Sequence, residues 1–535
     1  MPEQESQQHA ASRAPKKRIS YAVQTPEETM IRELPFVVGV LADISGVSAK
    51  NTSSIWERKF IGLSQDNIDA VQASVLPRLS LDVPNRLETA EARLRVDLRF
   101  SSISDFEPSS IVRQVPALRE LSASTSAERD RRSATGTTLG SFLDQVLQQT
   151  EAQAPQYQAE GFATDSERVL SMQLDEILRA PALQQLAATW HGLRHLTARA
   201  ADKSDVKVYV LDAGKKTLTR DFEKAAGFDQ TWVFKRVHDD VFGVLGCWPF
   251  GLLIGDYEFS NHPEDLELLE RMSEVAATIG APMVAAASPG MFGIEEFELL
   301  PERGALERLL EGPGYERWRS FRKSALSRYA ALALPRVVSP ASEEAAEHMT
   351  RAWGNPGYVF AARLIDIYSR DGDFVASRGA DGEPGSAVPA VETAFTELQA
   401  RHLSDLGFLA LARPEGARRA RFVETRPCHK PARYANPVVS ADARLASDLR
   451  CVLAVSRIVN YVKVQMIEES HAGKPAREYV GEIDRWLQTC VASGLLRQAR
   501  LELLPGAGAQ VALHVLPDLG PEKLTSPIRV VMALP

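Results

Sequence analysis

His191 and His195 stand one helical turn apart in His191-Gly-Leu-Arg-His195, a spacing with which a helix can hold zinc. A zincin carries a glutamate directly after the first histidine to activate the bound water, and Gly192 occupies that position here. The pattern therefore points to structural or surface histidines. Asp256, Glu258, Asp265 and Glu267 cluster around His262 after an apolar run. Carboxylates beyond the carboxyl end of a strand are where α/β folds keep their sites. The expected reading is plainer: Ser260 or Asn261 caps a helix and the acids sit in its first turn, complementing its dipole. A metal-dependent hydrolase using His191, His195 and the acids near Asp256 is the enzymatic alternative. Gly243-Val-Leu-Gly246 has neither the Gly-Lys-Ser/Thr of a phosphate loop nor the third glycine of a dinucleotide loop, and reads as a turn. There is no Gly-x-Ser-x-Gly elbow. Arg413, Arg418, Arg419, Arg421, Arg426, Lys430 and Arg433 form a basic stretch against only Glu415 and Glu424. Few aromatics interleave for stacking on bases, so a solvated or protein-facing surface is expected rather than a nucleic-acid site. No nucleophile, base and oxyanion donors assemble at readable spacing, and the chain is expected to have no catalytic residue, cofactor or metal.

The elements around these residues describe an ordinary globular chain. Its 535 residues are 44% hydrophobic and 25% charged, with net charge −8, enough for several cored domains and no pull toward nucleic acid. No run of about 18 apolar residues is found, so no membrane insertion is expected. The polar start lacks the apolar core of a secretory signal. Cys247, Cys428, Cys451 and Cys490 are far apart with no CxxC pair, which fits a reducing cytoplasm. Residues 1–16 read as a disordered tail. Glu33 to Asp43 reads as a buried strand, Asp66 to Leu76 as a helix capped by Asp66, and Arg93 to Phe100 as an alternating strand. Ser104 and Asp105 start a further helix. Residues 121–138 are small, polar and charged, the clearest linker in the chain. An amphipathic helix follows with Leu139, Phe142, Leu143, Val146 and Leu147 on one face. From about Ser166 a large α/β unit begins: a long helical pattern punctuated by Pro181, strands at Val206–Leu211, Phe250–Asp256 and Pro282–Ala287 around a helix at Pro263–Ile279, then a helix at Glu482–Leu495 and strands at Arg500–Leu504 and Ala509–Leu516. The β-α-β order predicts a parallel pair with a crossover. The fold class expected is mixed α/β in several domains.

Both ends carry period-2 segments. Near the start, Ile19, Tyr21 and Val23 alternate with polar residues; at the end, Ile528, Val530, Met532 and Leu534 share one face. Neither has an obvious hairpin partner in sequence. Unpaired strands expose N–H and C=O groups that must find a sheet edge, and an edge on another copy would make each end a polymer link.

Longer strings carry a family resemblance. From Arg18 to Leu121, "ELPFVVGVLADISG", "RKFIGLSQDNIDAVQASVLPRLSLDVPNRL", "VDLRFSSISDFEP" and "IVRQVPALREL" resemble the small sheath protein of the bacterial type VI secretion system (TssB, VipA). From Leu139 to Pro535, "QLDEILRAPALQQLAATWHGLRHL", "PFGLLIGDYEFSNHPEDLELL", "GYERWRSFRKSALSRYAALALPR", "WGNPGYVFAARL", "KPARYANP" and "IRVVMALP" resemble its large partner (TssC, VipB). The resemblance implies a fused sheath subunit: a small sheath domain over 17–121, a linker with the amphipathic helix over 122–165, a large domain over 166–526 and a C-terminal arm over 527–535. It implies a contractile helical homopolymer around an Hcp-like inner tube, with baseplate partners. Neighbours would be linked by exchanged strands at Lys17–Gln24 and Ile528–Leu534. It also implies a ClpV-like recycling ATPase acting on the Leu139–Leu147 helix. Glu482, Arg485 and Gln488 are the expected tube-facing residues. A sheath of another contractile particle, or an adaptor that binds sheath without polymerising, are the alternatives.

Overall fold

The computed structural model describes residues 19–24, 29–46, 54–87, 93–124, 165–243, 248–300, 303–338, 353–374, 390–414, 416, 420–504 and 509–535. The helix expected at Leu139–Thr150, with Leu139, Phe142, Leu143, Val146 and Leu147, lies outside them. Strands β1 (Ser20–Gln24) and β2 (Thr29–Glu33) pair antiparallel. Strand β3 (Phe36–Ala42) follows and is buried along its whole length. Next come β4 (Ile61–Leu63), helix α1 (Ile68–Val75), the antiparallel pair β5 (Arg78–Pro84) and β6 (Arg93–Arg99), and α2 (Pro108–Gln114). Buried and exposed residues alternate along β5 and through Val96 and Leu98 of β6, as the pattern of Arg93–Phe100 predicts. Helix α1 has Asn67 rather than Asp66 at its cap position; the Asn67 side chain makes no capping bond and instead accepts from the Ser64 N–H at 2.8 Å. A one-turn 3-10 helix at Ile103–Phe106 precedes α2, and a helical run over 116–124 reaches past the linker start expected at 122.

The second stretch begins with α3 (Asp165–Leu178) and α4 (Pro181–Ala200), split where Pro181 takes the first turn of the new helix. It continues through β7 (Val206–Asp212), β8 (Leu252–Phe259), α5 (Pro263–Ile279), β9 (Met283–Ala287), β10 (Ala330–Leu334), the short pair β11 (Val337–Val338) and β12 (Trp353–Gly354), α6 (Gly357–Asp371), β13 (Phe408–Ala412) and β14 (Arg421–Phe422). One sheet of eight strands results, ordered β14-β13-β10-β9-β8-β3-β7-β4. Strands β8 and β9 are the expected parallel pair across α5.

The sheet order joins the two stretches. β3, from the first, lies between β7 and β8, from the second, parallel to both. Val38, Val40 and Ala42 point into one core with Leu186, Trp190, Val208 and Leu252, while Val37 and Leu41 point into the opposite core with Leu211, Phe250 and Leu253. A strand buried on both faces needs a continuous apolar run rather than alternation, which is what Phe36–Ala42 supplies. Gly39 is required there, since a Cβ would stand 2.8 Å from the Phe250 ring. Both edges of this sheet are very short strands, which offer little template for further pairing.

A third core gathers α7 (Pro437–Ala446), α8 (Leu449–His471), α9 (Ala476–Ala492) and the antiparallel sheet β15 (Leu496–Leu503), β16 (Gln510–Pro517) and β17 (Ile528–Ala533), in that spatial order. Helix α9 starts six residues before the expected Glu482, at Ala476, because Tyr479 and Val480 already face the core.

Candidate assembly interface

The residues that could do chemistry are mostly absorbed by the fold. His191 and His195 lie on α4. Burial, with Arg194 nearby, lowers the His191 pKa to about 4, and burial with Arg199 does the same for His195, so both are neutral near pH 7. Gly192 has a packing reason: a Cβ there would come within 2.7 Å of the Tyr358 ring on α6. Among the described residues no three His, Cys, Asp or Glu side chains are grouped to hold a metal.

The acidic cluster divides. Asp265 is in the first turn of α5 as expected, and its carboxylate accepts from the Ser260 N–H at 2.8 Å and hydroxyl at 2.7 Å. The residue at the cap position is His262, without a side-chain bond, so the expected cap by Ser260 or Asn261 is corrected: the helix acid reaches back instead. Asp256 and Glu258 are not in the helix; they belong to β8. Glu258 is forked by Arg336 at 2.6 and 2.8 Å. Asp256 is half-buried and accepts the Thr189 hydroxyl at 2.6 Å. Burial outweighs that bond and pushes its carboxyl up from 3.8 to about 6. Between those values the folded chain holds a proton the unfolded chain has lost, so stability falls as pH rises from about 4 to 6. Asp256→Asn is expected to remove that decline, worth roughly 3 kcal/mol, measured as the difference between parent and variant urea midpoints across this range.

Two members of the basic stretch are drawn into local ion pairs, Arg421 with Glu397, and Arg426 with Asp405 and Glu424, while Arg413, Lys430 and Arg433 are exposed. Arg418, Arg419 and Glu415 lie outside the described residues, as does the turn expected over residues 244–246. Among the described residues no helix is long and apolar enough to cross a membrane.

The two ends correct the expectation of partnerless strands. β1 has a partner in its own chain: β2, with Tyr21 opposite Arg32 and Val23 opposite Met30. Sequence reading missed β2 because Thr29–Glu33 shows no clean alternation. Ile19 is only 1% exposed and plugs the third core beside Leu34. β17 likewise pairs in its own chain with β16, Val530 opposite Leu513 and Met532 opposite Val511, and turns Met532 into the core while Ile528 and Val530 pack at its margin. The root of β17 is held by Asp442 of α7, which accepts the N–H groups of Thr525 and Ser526 at 3.1 Å.

The three-stranded sheet ends on β15 at one edge and β17 at the other. Helix α9 lies against β15: the Asp484 carboxylate accepts the Leu501 N–H at 2.8 Å, and the Gln488 amide donates to the Ala499 carbonyl at 2.9 Å. Of the residues expected to face a tube, Glu482 pairs with Lys474 at 3.0 Å, Gln488 is bonded to β15, and Arg485 is exposed.

Two families match, in the order of the two stretches. The family described as type VI secretion system, VipA, VC_A0107 or Hcp2 matches residues 10–156. The EvpB/VC_A0108 tail sheath N-terminal domain family (VipB) matches residues 163–429. The type VI secretion system sheath protein TssC1 of Pseudomonas aeruginosa is 29% identical over 353 residues, covering 60% of this chain and 70% of that protein. The sheath protein TssB1 of the same organism is 38% identical over 112 residues, covering 21% of this chain and 64% of its own length. The first stretch thus spans a little under two thirds of its small relative. With both matches in order along a chain whose two stretches build one sheet, the protein belongs to the type VI secretion sheath family, with the small and large sheath segments joined in one polypeptide.

Proposed function

We propose that this chain polymerises helically into a contractile sheath around an Hcp-like inner tube, and that its role is structural, with no catalytic step. The observation that supports this reading best is the C-terminal sheet, a small module ending on a rooted strand whose outer edge has no strand partner among the described residues. In the isolated chain β17 completes its own sheet. In a polymer the same strand would leave β16 at the Pro527 hinge and complete a neighbour's sheet, regaining the same backbone bonds. Such a swap changes little per strand, so cohesion comes from repetition along the lattice. The N-terminal segment with Ile19, Tyr21 and Val23 acts as the second donated strand. Contraction is a second packing of the bodies about these hinges. Baseplate contacts, a cytoplasmic location, an Arg485-side approach to the tube and a ClpV-like ATPase at Leu139, Phe142, Leu143, Val146 and Leu147 complete the proposal, the last on resemblance alone. Purified protein examined by negative-stain microscopy is expected to form long tubes of uniform width; a monodisperse monomer at every concentration and salt tried would overturn the reading.

A further inference from the structure

We propose that the exposed basic ridge at residues 430–439 of one copy docks on the acidic patch around Leu299 and Leu398 of the next, a body-to-body contact separate from the exchanged strands; this rests on the polymer reading above. An apolar side chain gains by burial, so ordered apolar residues left together in solvent mark a surface that another body covers. Every residue from Ala432 to Val439 is exposed, Tyr434, Val438 and Val439 among them, and α7, which begins within this run, contributes no buried residue to its own subunit. Lys430 and Arg433 flank the apolar residues, exposed and in no ion pair among the described residues.

The ridge is held in shape by its own bonds. The Ser440 hydroxyl accepts the Tyr434 N–H at 2.8 Å and donates back to the Tyr434 carbonyl at 2.9 Å. The Asn436 side chain caps α7 by accepting the Val438 N–H at 2.9 Å. A loop already in shape lowers the ordering cost of docking. The acids beside the ridge are engaged within the subunit: Asp442 by the Thr525 and Ser526 N–H groups, and Asp405 by Arg426 and Arg444. The ridge therefore presents positive charge around an apolar centre.

A patch of opposite sign lies on the same body. Leu398 and Leu299 are 70% and 62% exposed, the highest values of any large apolar side chain among the described residues. The Phe297 and Phe395 rings meet at 6.4 Å, which brings the Leu299 turn to the start of the helix Glu397–Asp405 that carries Leu398. Glu295, Glu296 and Glu298 flank Leu299 in sequence, all exposed and in no ion pair among the described residues. The nearby cations Arg401 and Arg421 are engaged by Glu397. The ridge stands at the other end of that helix, where Arg444 of α7 reaches Asp405 at 3.8 Å, and a helix of this length separates its ends by about 12 Å. Two unlike patches pair head to tail, so each copy gives a ridge and receives one, and the contact propagates instead of closing a dimer. Added to the strand links, it gives the lattice a second, independent bond per copy.

Full-length K430E/R433E and E295K/E298K are expected to keep the parent Tm, and each to raise the concentration at which tubes first sediment by roughly tenfold, since like charges then face each other. The four substitutions combined in one chain should return that threshold to within about twofold of the parent, because the attraction is restored with its sign inverted. In a second measurement, chains carrying Tyr434→Cys are mixed with chains carrying Leu299→Cys, assembled and oxidised. A disulfide-linked pair is expected from the mixture and not from either chain alone. Parent-like thresholds for both charge variants, a combined variant no better than the two it joins, or no linked pair from the mixture would overturn this contact while leaving the sheath reading standing. K430E/R433E chains that form tubes normally but no longer retain an Hcp-like tube protein would assign the ridge to the inner tube and overturn the contact equally. A parent chain that stays monomeric at every concentration would overturn the polymer reading and this inference with it.

Discussion

A chain carrying a protease site inserted within residues 125–164 is expected to remain one particle after cleavage, both pieces eluting together in gel filtration under native conditions. The reason is the place of β3. It is hydrogen-bonded on both sides, to β7 and to β8, both of which come from the other piece. Phe36, Val37, Val38, Val40 and Leu41 are each at most 3% exposed, and burying an apolar side chain of this size contributes about 1.5–3 kcal/mol. That makes β3 alone worth on the order of 10 kcal/mol, before the packing of Leu79, Leu81, Val96, Leu98 and Phe100 against α4 and its neighbours is counted. The complementary expectation is as strong. Residues 165–535 expressed without the first stretch would leave a strand-wide slot between β7 and β8, two apolar edges of a parallel sheet with nothing to pair them. That piece should be insoluble alone and rescued by co-expression of residues 1–124. Clean separation of the cleaved pieces without denaturant would contradict the sheet order. Joining the two segments in one polypeptide therefore ties together parts that the sheet already holds.

Much of this was legible in the chain, but not its most consequential feature. The run Glu33–Asp43 is strongly apolar and β-branched at its centre, so it reads as a buried strand, and Phe36–Ala42 within it is one. The alternation in Arg93–Phe100 and the β-α-β order around Pro263–Ile279 read correctly for the same reason: periodicity reports local burial. Periodicity does not report which strand lies beside which. The polar stretch after Leu121 reads as a boundary between units, yet strands from both sides of it share one sheet. The ends failed in the same way. Half-buried alternation in Ile528–Leu534 says that the segment is a strand with one wet face; whether the edge it meets is β16 of its own chain or of a neighbour is a matter of chain path. Polar side chains hide their work too. Asp484 and Gln488 look in sequence like any solvated helix positions, and only the register of α9 against β15 reveals them as partners of the Leu501 N–H and the Ala499 carbonyl. Gly192 was informative in a different sense. As the position where a zincin keeps its base it argued against metal chemistry, whereas its physical cause is the close approach of Tyr358.

Deletion of residues 528–535 is expected to abolish tubes while leaving a folded, monomeric chain, and the two effects should separate cleanly because β17 contributes little to its own subunit. Only Met532 of that strand is fully buried; Ile528 and Val530 are half-buried, and Arg529, Val531 and Ala533 are exposed. Full burial of one such side chain contributes about 1.5–3 kcal/mol, and ordering the six residues of β17 opposes this at about 1–2 kcal/mol each, offset by the backbone bonds to β16. The net change in subunit stability should therefore be small, a shift in Tm of a few degrees. The deletion begins after Pro527, so the Asp442 bonds to Thr525 and Ser526 and the buried anchors Leu519 and Leu524 remain, and the connection out of β16 keeps its path. What is lost is the rooted strand that can be handed on. A Met532→Asp variant, which keeps the chain length but cannot place an apolar side chain in either its own core or a neighbour's, should behave like the deletion. Sedimentation velocity separates monomer from polymer, and negative-stain images show whether tubes form. Long, regular tubes from the truncated chain would mean that cohesion lies in body-to-body contacts, and that the C-terminal strand only finishes the fold of its own subunit.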